Sequence, residues 1–344
     1  GLGLGGAEKV VTDLADQMIL RGHEVKIAYL KGDVVVKPTS EKIELICLGL
    51  ESEKKIIAAS QKYRQLIKQF QPDVVHAHMV HANIFTRLNR IGRKVSKLIC
   101  TAHSSNEGGK IRMLAYKYTN FLSDFNTNVS QNAVCEFIRS GAFTQNNLCH
   151  VYNGIDLDYF KNNQNKEQKE NISLLAVGRF NDAKDYPNLL KAITLVVQQY
   201  PNIHLNIAGD GELRSDIETL IEQLQLSDNV TLLGRRNDIP MLMQQSDFFV
   251  LPSKYEGLPT VLIEAMASEI FVIATDCGGS KEIMGDTGIL VKKEDKLALA
   301  NGILQAIALP KEEIINNTAE ARKRVEDLFS LDKSVVKWLD IYGK

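Results

Sequence analysis

Glu256 and Glu264 stand eight residues apart around Gly257-Leu258-Pro259-Thr260, with an apolar run, Phe248–Leu251, before them and Val261-Leu262-Ile263 inside the interval. The apolar run predicts a buried strand and the glycine a turn. Pro259 fits the first position of a helix, where its missing N–H costs nothing. A helix start offers unpaired N–H groups and the positive end of the helix dipole, a setting that suits a diphosphate. Eight helical residues would span about 12 Å. Two carboxylates at that separation suit hydroxyl-bearing rings on either side of a diphosphate, a ribose on one and a transferred sugar on the other. Taken alone, the segment equally fits a capped helix with a surface glutamate.

A second pattern is Val177-Gly178-Arg179-Phe180, with Lys184 in the following loop. Arg179 falls at the carboxyl end of a predicted strand, and Lys184 falls a few residues before a helical pattern. Two fixed cations there can neutralise a leaving diphosphate without a metal, the arginine as a planar fork and the lysine as a point charge. As an isolated pair they also read as ordinary surface cations.

Three other patterns compete for attention. Gly1-x-Gly3-x-x-Gly6 matches the dinucleotide fingerprint, and Glu24 and Asp33 fall near its acidic position. It supports a remote alternative, an NAD-dependent dehydrogenase, but leaves Arg179, Lys184 and the two glutamates unexplained. His76-x-His78-x-x-His81 could suggest a metal. Alternate strand residues share a face, so His76 and His78 point together, yet no carboxylate is adjacent in sequence. Packed or cleft-lining histidines are the expectation, with His78 or His81 within reach of an acceptor. Asp156-x-Asp158 follows Asn153-Gly154, and turn chemistry accounts for it. The sequence therefore leads us to expect no metal site.

These residues need a frame. At roughly 150 residues per domain, 344 residues suggest two domains. The net charge of -1 gives no pull towards nucleic acid. Cys47, Cys100, Cys135, Cys149 and Cys277 show no CxxC spacing, which fits reduced thiols in a cytoplasmic protein. No apolar run approaches the ~20 residues of a membrane span. No signal-peptide pattern is present. Strands are predicted at 25–30, 43–48, 74–78, 98–103, 125–130 and 148–152, with helical patterns between them. After an apolar-free segment, 161–171, they resume at 173–178, 204–208, 230–233, 248–251, 271–275 and 288–291. The tail from about Glu294 reads as helical. Such alternation predicts α/β domains, each with a doubly wound parallel sheet. Glycine-rich loops of the Gly1–Gly6 kind follow a strand, so the expectation is a first strand that this sequence lacks. Ligands of such sheets bind outside the carboxyl ends of the strands.

Six pieces in order resemble glycosyltransferase family 4, the retaining enzymes of GT-B fold, over nearly the whole chain. They are Gly5-Gly6-Ala7-Glu8, His103 after Cys100-Thr101-Ala102, Asn153-Gly154-Ile155-Asp156, Val177-Gly178-Arg179 with Lys184, Ala208-Gly209-Asp210-Gly211, and Glu256-x7-Glu264. The resemblance implies two Rossmann-like domains facing across a cleft. Residues 1–165 would bind the acceptor, 172–328 the nucleotide sugar, and a helix in 329–344 would pack back on the first domain. It implies that Arg179 and Lys184 bind the donor phosphates, and that Glu264 binds the ribose. Glu256 would bind the donor sugar and stabilise the transition state, and His103 would contact that sugar. The loop Gly5-Gly6 would approach the donor closely, and Gly257, Leu258, Pro259 and Thr260 would line its site. Backbone near Gly234 and Arg235 would hold the base. The reaction implied is retaining, metal-independent transfer from a nucleotide-diphosphate sugar, UDP-linked, to an acceptor hydroxyl in polysaccharide or lipid-linked glycan assembly. No cofactor beyond that co-substrate is expected. A sugar-nucleotide 2-epimerase and a non-catalytic nucleotide-sugar binding protein are the alternatives.

Lys110, Arg112 and Lys117 share a predicted helix with Ile111, Met113, Leu114, Tyr116 and Tyr118. Arg87, Arg90, Arg93, Lys94 and Lys97 add a second basic stretch. A basic, aromatic-bearing helix suits the anionic inner face of a membrane, and it also suits a solvated surface.

Overall fold

The computed structural model describes residues 1–3, 5–91, 95–104, 109–161 and 171–343. The chain divides into two compact units, Gly1–Gly154 with Leu331–Lys344, and Ile155–Ser330. The apolar-free segment expected as a linker falls almost wholly outside the described residues.

In the first unit α1 (Gly6–Leu20) is followed by β1 (Lys26–Tyr29), β2 (Glu44–Cys47), α2 (Ile56–Phe70) and β3 (Val74–His78). Then come α3 (Val80–Arg90), β4 (Lys97–Ala102), α4 (Lys110–Thr119), β5 (Phe125–Asn128), α5 (Gln131–Arg139) and β6 (Cys149–His150). β1 and β2 pair in parallel, and β3, β4, β5 and β6 form a parallel sheet in that order. Leu2 bridges Val34 in parallel, and its carbonyl accepts from the N–H of Val35 and of Val36. That bridge anchors the glycine loop ahead of α1.

The second unit runs β7 (Ile172–Val177), α6 (Tyr186–Val197), β8 (Ile203–Ala208), α7 (Arg214–Gln223), β9 (Val230–Gly234) and α8 (Ile239–Gln245). It continues with β10 (Phe248–Leu251), α9 (Thr260–Ala267), β11 (Phe271–Thr275), α10 (Ser280–Met284), β12 (Ile289–Val291), α11 (Lys296–Ala308) and α12 (Lys311–Leu328). Its six strands are parallel in the order β12-β11-β10-β7-β8-β9. β10 and β11 are buried along their whole lengths, as a parallel strand covered on both faces must be. One face carries α6 and α11, whose Leu189, Ile193, Leu299 and Ile303 join the sheet's core. From β7 the chain moves outward one way to β8 and β9, and from β10 the other way to β11 and β12. The boundary between β7 and β10 is therefore the topological switch point, where open parallel sheets take ligands.

The last helix, α13 (Leu331–Gly343), belongs to the first unit. Val335, Trp338 and Ile341 pack there with Leu14 and Met18 of α1, Ile99 of β4 and Val151. Each such side chain stabilises by about 1.5–3 kcal/mol on burial.

Candidate active site

At the switch point, the two strand ends deliver opposite charges. After β7 the chain passes Gly178 and Arg179 into a short 3-10 turn, Asp182–Lys184, before α6. After β10 it runs through Ser253 and Glu256 to α9. Lys184 Nζ lies 2.5 Å from Glu256 Oε1, and the two side chains are only 18% and 13% exposed. Ser253, fully buried, donates its hydroxyl to the same Glu256 oxygen at 2.7 Å. The stem of Lys184 crosses Gly178 so closely that a methyl there would sit 2.9 Å from Cε. The two loops are also joined by backbone, since Lys254 N–H donates to the Ala183 carbonyl at 2.9 Å.

The Glu256 loop is braced from behind by the turn after β11. Thr275, fully buried, donates to the Ser253 carbonyl at 2.5 Å, and Gly279 N–H donates to the Gly257 carbonyl at 2.9 Å. Gly278 takes φ +52°, and a methyl on it would fall 2.2 Å from the Glu256 carbonyl oxygen. Only glycine fits there, on conformation and on space. Burial, and then the Glu256 charge, raise the Tyr186 phenol and the Cys277 thiol.

The neighbouring strand ends build a second layer. Gly209, after β8, lies so close to the Gly178 carbonyl that a methyl would fall 1.9 Å from that oxygen. Its N–H donates to the Gly234 carbonyl at the end of β9. Arg179 is exposed and pairs with Glu212 at 3.1 Å. Asp210 stands 3.7 Å from both Arg214 and Arg235. These exposed pairs are weakly held, because water competes for each partner.

In the first unit three histidine rings assemble at the ends of β3 and β4. His78 Nδ1 and His103 Nε2 are 3.0 Å apart, and the rings of His76 and His78 lie 3.9 Å apart. His76 reaches Tyr342 Oη at 2.8 Å and Thr101 Oγ1 at 2.6 Å. Burial pushes His76 down to about 3 and His103 down to about 4, so both are neutral at neutral pH. His81 on α3 is exposed, and partial burial and then the charges of Arg112 and Lys31 lower its pKa. Among the described residues no group of three His, Cys, Asp or Glu side chains is placed to hold a metal ion.

Residues 159–324 match the family Glycosyl transferases group 1, and residues 4–159 match Glycosyltransferase Family 4. The chain belongs to the family-4-type glycosyltransferases. It is 24% identical to a Campylobacter jejuni N-acetylgalactosamine-N,N'-diacetylbacillosaminyl-diphospho-undecaprenol 4-alpha-N-acetylgalactosaminyltransferase, over 98% of this chain and 97% of that one. It is 25% identical to an Escherichia coli UDP-Gal:alpha-D-GlcNAc-diphosphoundecaprenol alpha-1,3-galactosyltransferase, over 87% and 82%. Among solved structures it resembles Anabaena HepE in complex with UDP and glucose, with a TM-score of 0.83, 19% identity, and coverage of 100% of this chain and 97% of that one. That likeness carries the fold, which is GT-B.

Within this glycosyltransferase, the structure places Arg179, Lys184, Gly234, Arg235, Glu256, Gly257, Leu258 and Pro259 at strand ends and in the loops after them in the second unit, and Thr260 and Glu264 on α9. It places Gly5, Gly6 and His103 in the first unit. Gly5 precedes α1 in an extended conformation, and Gly6 opens that helix. Two expectations change. Pro259 is the residue before α9 rather than its first, and Thr260 starts the helix. Glu256 therefore lies in the loop, and the helical spacing to Glu264 does not apply. Glu264 is half-buried on α9 itself. No sequence pattern assigns a role to Ser253, Thr275, Tyr186 or Glu212. Gly278-Gly279 was the available signal for the brace, but a glycine pair does not say which loop it meets.

The second basic stretch also changes. Arg87 is fully buried, donates to Thr119 and Asn126, and lies 5.0 Å over the Tyr116 ring. Arg90 pairs with Asp124 at 2.7 Å, and Lys97 donates to the carbonyls of Ile341 and Tyr342. These three cations serve internal packing. Arg93 and Lys94 lie outside the described residues.

Proposed function

We propose that the chain moves a sugar, with retention of anomeric configuration, from a nucleotide-diphosphate donor to an acceptor hydroxyl. A UDP-sugar is the donor and a lipid-linked glycan the acceptor class. The observation that carries this reading is the Lys184–Glu256 pair, held by Ser253 at the switch point of the second unit's sheet. The names of the Campylobacter and Escherichia coli relatives, with their diphospho-undecaprenol acceptors, support the acceptor class. The Anabaena structure, with its bound UDP, supports the nucleotide.

In this reading the pyrophosphate meets two cations held with different strength. Arg179 gives up an exposed pair with Glu212 worth under about 1 kcal/mol, so its guanidinium turns to the phosphates at little cost. Lys184 is better buried and stays with Glu256, sharing its remaining N–H groups with the leaving phosphate. The pair places a fixed positive charge where negative charge develops and a carboxylate beside the oxocarbenium-like sugar. No metal ion enters the step. The acceptor attacks on the face from which the phosphate departs, and that phosphate takes the acceptor's proton. Glu264 holds the ribose, the backbone near Gly234 and Arg235 the base, and His103 and the Gly5-Gly6 loop approach the sugar. The protein needs no cofactor beyond its co-substrate.

A membrane-facing site fits the first unit's surface. Ile111, Leu114 and Tyr118 of α4 are exposed at helical spacing, and Phe121 continues them at 76% exposure. Lys110, Arg112 and Lys117 flank that stripe, the pattern of a helix lying on anionic lipid. No helix among the described residues is long and apolar enough to cross a membrane. We place the enzyme in the cytoplasm, working at the inner face of the membrane.

The test is acceptor-dependent release of UDP across a panel of UDP-sugars, with EDTA present and the product's anomeric proton read by NMR. Retention, EDTA resistance and no turnover without acceptor support the reading. Rearranged free sugar without acceptor would identify an epimerase, and binding without release a binding protein.

A further inference from the structure

We infer that His78 is a positioning residue for His103, itself held by His76 and the C-terminal helix α13. The inference rests on the reading that His103 meets the transferred sugar. A strand period of two puts His76 and His78 on one side of β3, and His103 follows the adjacent strand β4. His78 Nδ1 lies 3.0 Å from His103 Nε2. On its other side the His78 ring stacks against His76 at 3.9 Å, tilted by 35°. Both nitrogens of His76 are engaged, one by Tyr342 Oη and the other by Thr101 Oγ1, which in turn meets Thr127 Oγ1 at 2.7 Å. Trp338 lies against the same ring at 4.4 Å. A line of contacts thus runs from α13, through two rings, to His103.

This line does more than fill space. Between two neutral imidazoles one nitrogen donates and the other accepts. If His78 donates from Nδ1, the proton of His103 sits on its own Nδ1. If His103 donates from Nε2, its Nδ1 is an acceptor. The bond therefore couples the tautomers of the two residues and fixes which group His103 can present to a sugar hydroxyl, as a partner on one imidazole nitrogen does generally. A leucine at 78 would fill part of the space but set neither tautomer nor ring rotation. An asparagine places a polar atom close to the position of Nδ1.

The experiment compares His78→Leu, His78→Asn, His103→Ala and the double variant His78→Leu/His103→Ala in the full chain. We expect His78→Leu to lower kcat by about 10- to 100-fold, the scale of a displaced reacting group. UDP affinity should stay unchanged and His78→Asn should recover most of the loss. The double variant should fall no further than His103→Ala. Independently of any variant's folding, selectively 15N-histidine-labelled wild type should show a nitrogen–nitrogen coupling across the His78–His103 hydrogen bond. Normal turnover in His78→Leu alongside a defective His103→Ala overturns the positioning role, as does absence of the coupling. Normal turnover in His103→Ala overturns the underlying reading instead.

Discussion

Replacing Lys184 with methionine removes one partner of the pair at the switch point while keeping most of the stem over Gly178. A fully buried ion pair broken from one side costs about 3–5 kcal/mol. Here both side chains keep slight exposure and Ser253 still donates to Glu256, which lowers the expected cost to about 2–3 kcal/mol. For a unit of this size that is a fall of roughly 5–10 °C in the unfolding midpoint. Loss of a fixed charge at the departing phosphate should cost turnover a further, separate factor of about 100 to 1,000. Calorimetry and UDP-release kinetics read the two effects. Glu256→Gln should destabilise similarly, because it strands the lysine. The double variant should recover part of the loss, with a coupling of about 2 kcal/mol in the cycle. A Lys184→Met enzyme with near-normal midpoint and turnover would rule out both roles of the pair, and so would strictly additive single variants.

Arg179→Ala should leave the unfolding midpoint almost unchanged, since its pair with Glu212 is exposed, while weakening UDP binding by about tenfold or more in calorimetric titration. Trp338→Ala should destabilise the first unit by about 3–5 kcal/mol, seen as early loss of the first unit's amide protection in hydrogen exchange. Acid should act through the buried histidines. His76 and His103 stay neutral in the folded protein down to about 3 and about 4, whereas the unfolded chain takes up protons from about 6.5 downwards. The stability is therefore present above the unfolded value of about 6.5 and falls as pH drops through it, towards about 4 for His103 and about 3 for His76, by about 1–2 kcal/mol per residue between pH 7.5 and 5. His76→Asn should flatten that decline in midpoint, and an unchanged slope would contradict it. Aspartates at Ile111, Tyr118 and Phe121 together should abolish flotation with anionic liposomes at low salt without changing UDP binding; equal flotation would remove the membrane role of α4.

The frame was legible where burial alone decides. Val74–His78, Phe248–Leu251 and Phe271–Thr275 are strands at the expected bounds, because a short β-branched and aromatic run between turn residues has few other fates. The site was legible as residue types but not as a geometry. Lys184 and Glu256 are 72 residues apart in sequence, and their contact depends on β7 and β10 being neighbours, which no local pattern states. Pro259 precedes α9 instead of opening it, because a proline suits the residue before a helix as well as its first turn. Arg87 read as part of a basic face. Its burial comes from the rings of Tyr116 and Phe143, brought to it by α4 and by the segment after α5. The pairing of His76 and His78 followed from strand period. Their links to His103 and Tyr342 did not, because those come from another strand and from the far end of the chain.

A crystal structure of the wild-type protein with UDP would show directly whether the switch point of the second unit holds the donor. We expect the diphosphate within hydrogen-bond reach of Arg179 and Lys184, with the ribose on Glu264. Nucleotide bound elsewhere, or a diphosphate that leaves both cations on their present carboxylate partners alone, would contradict it.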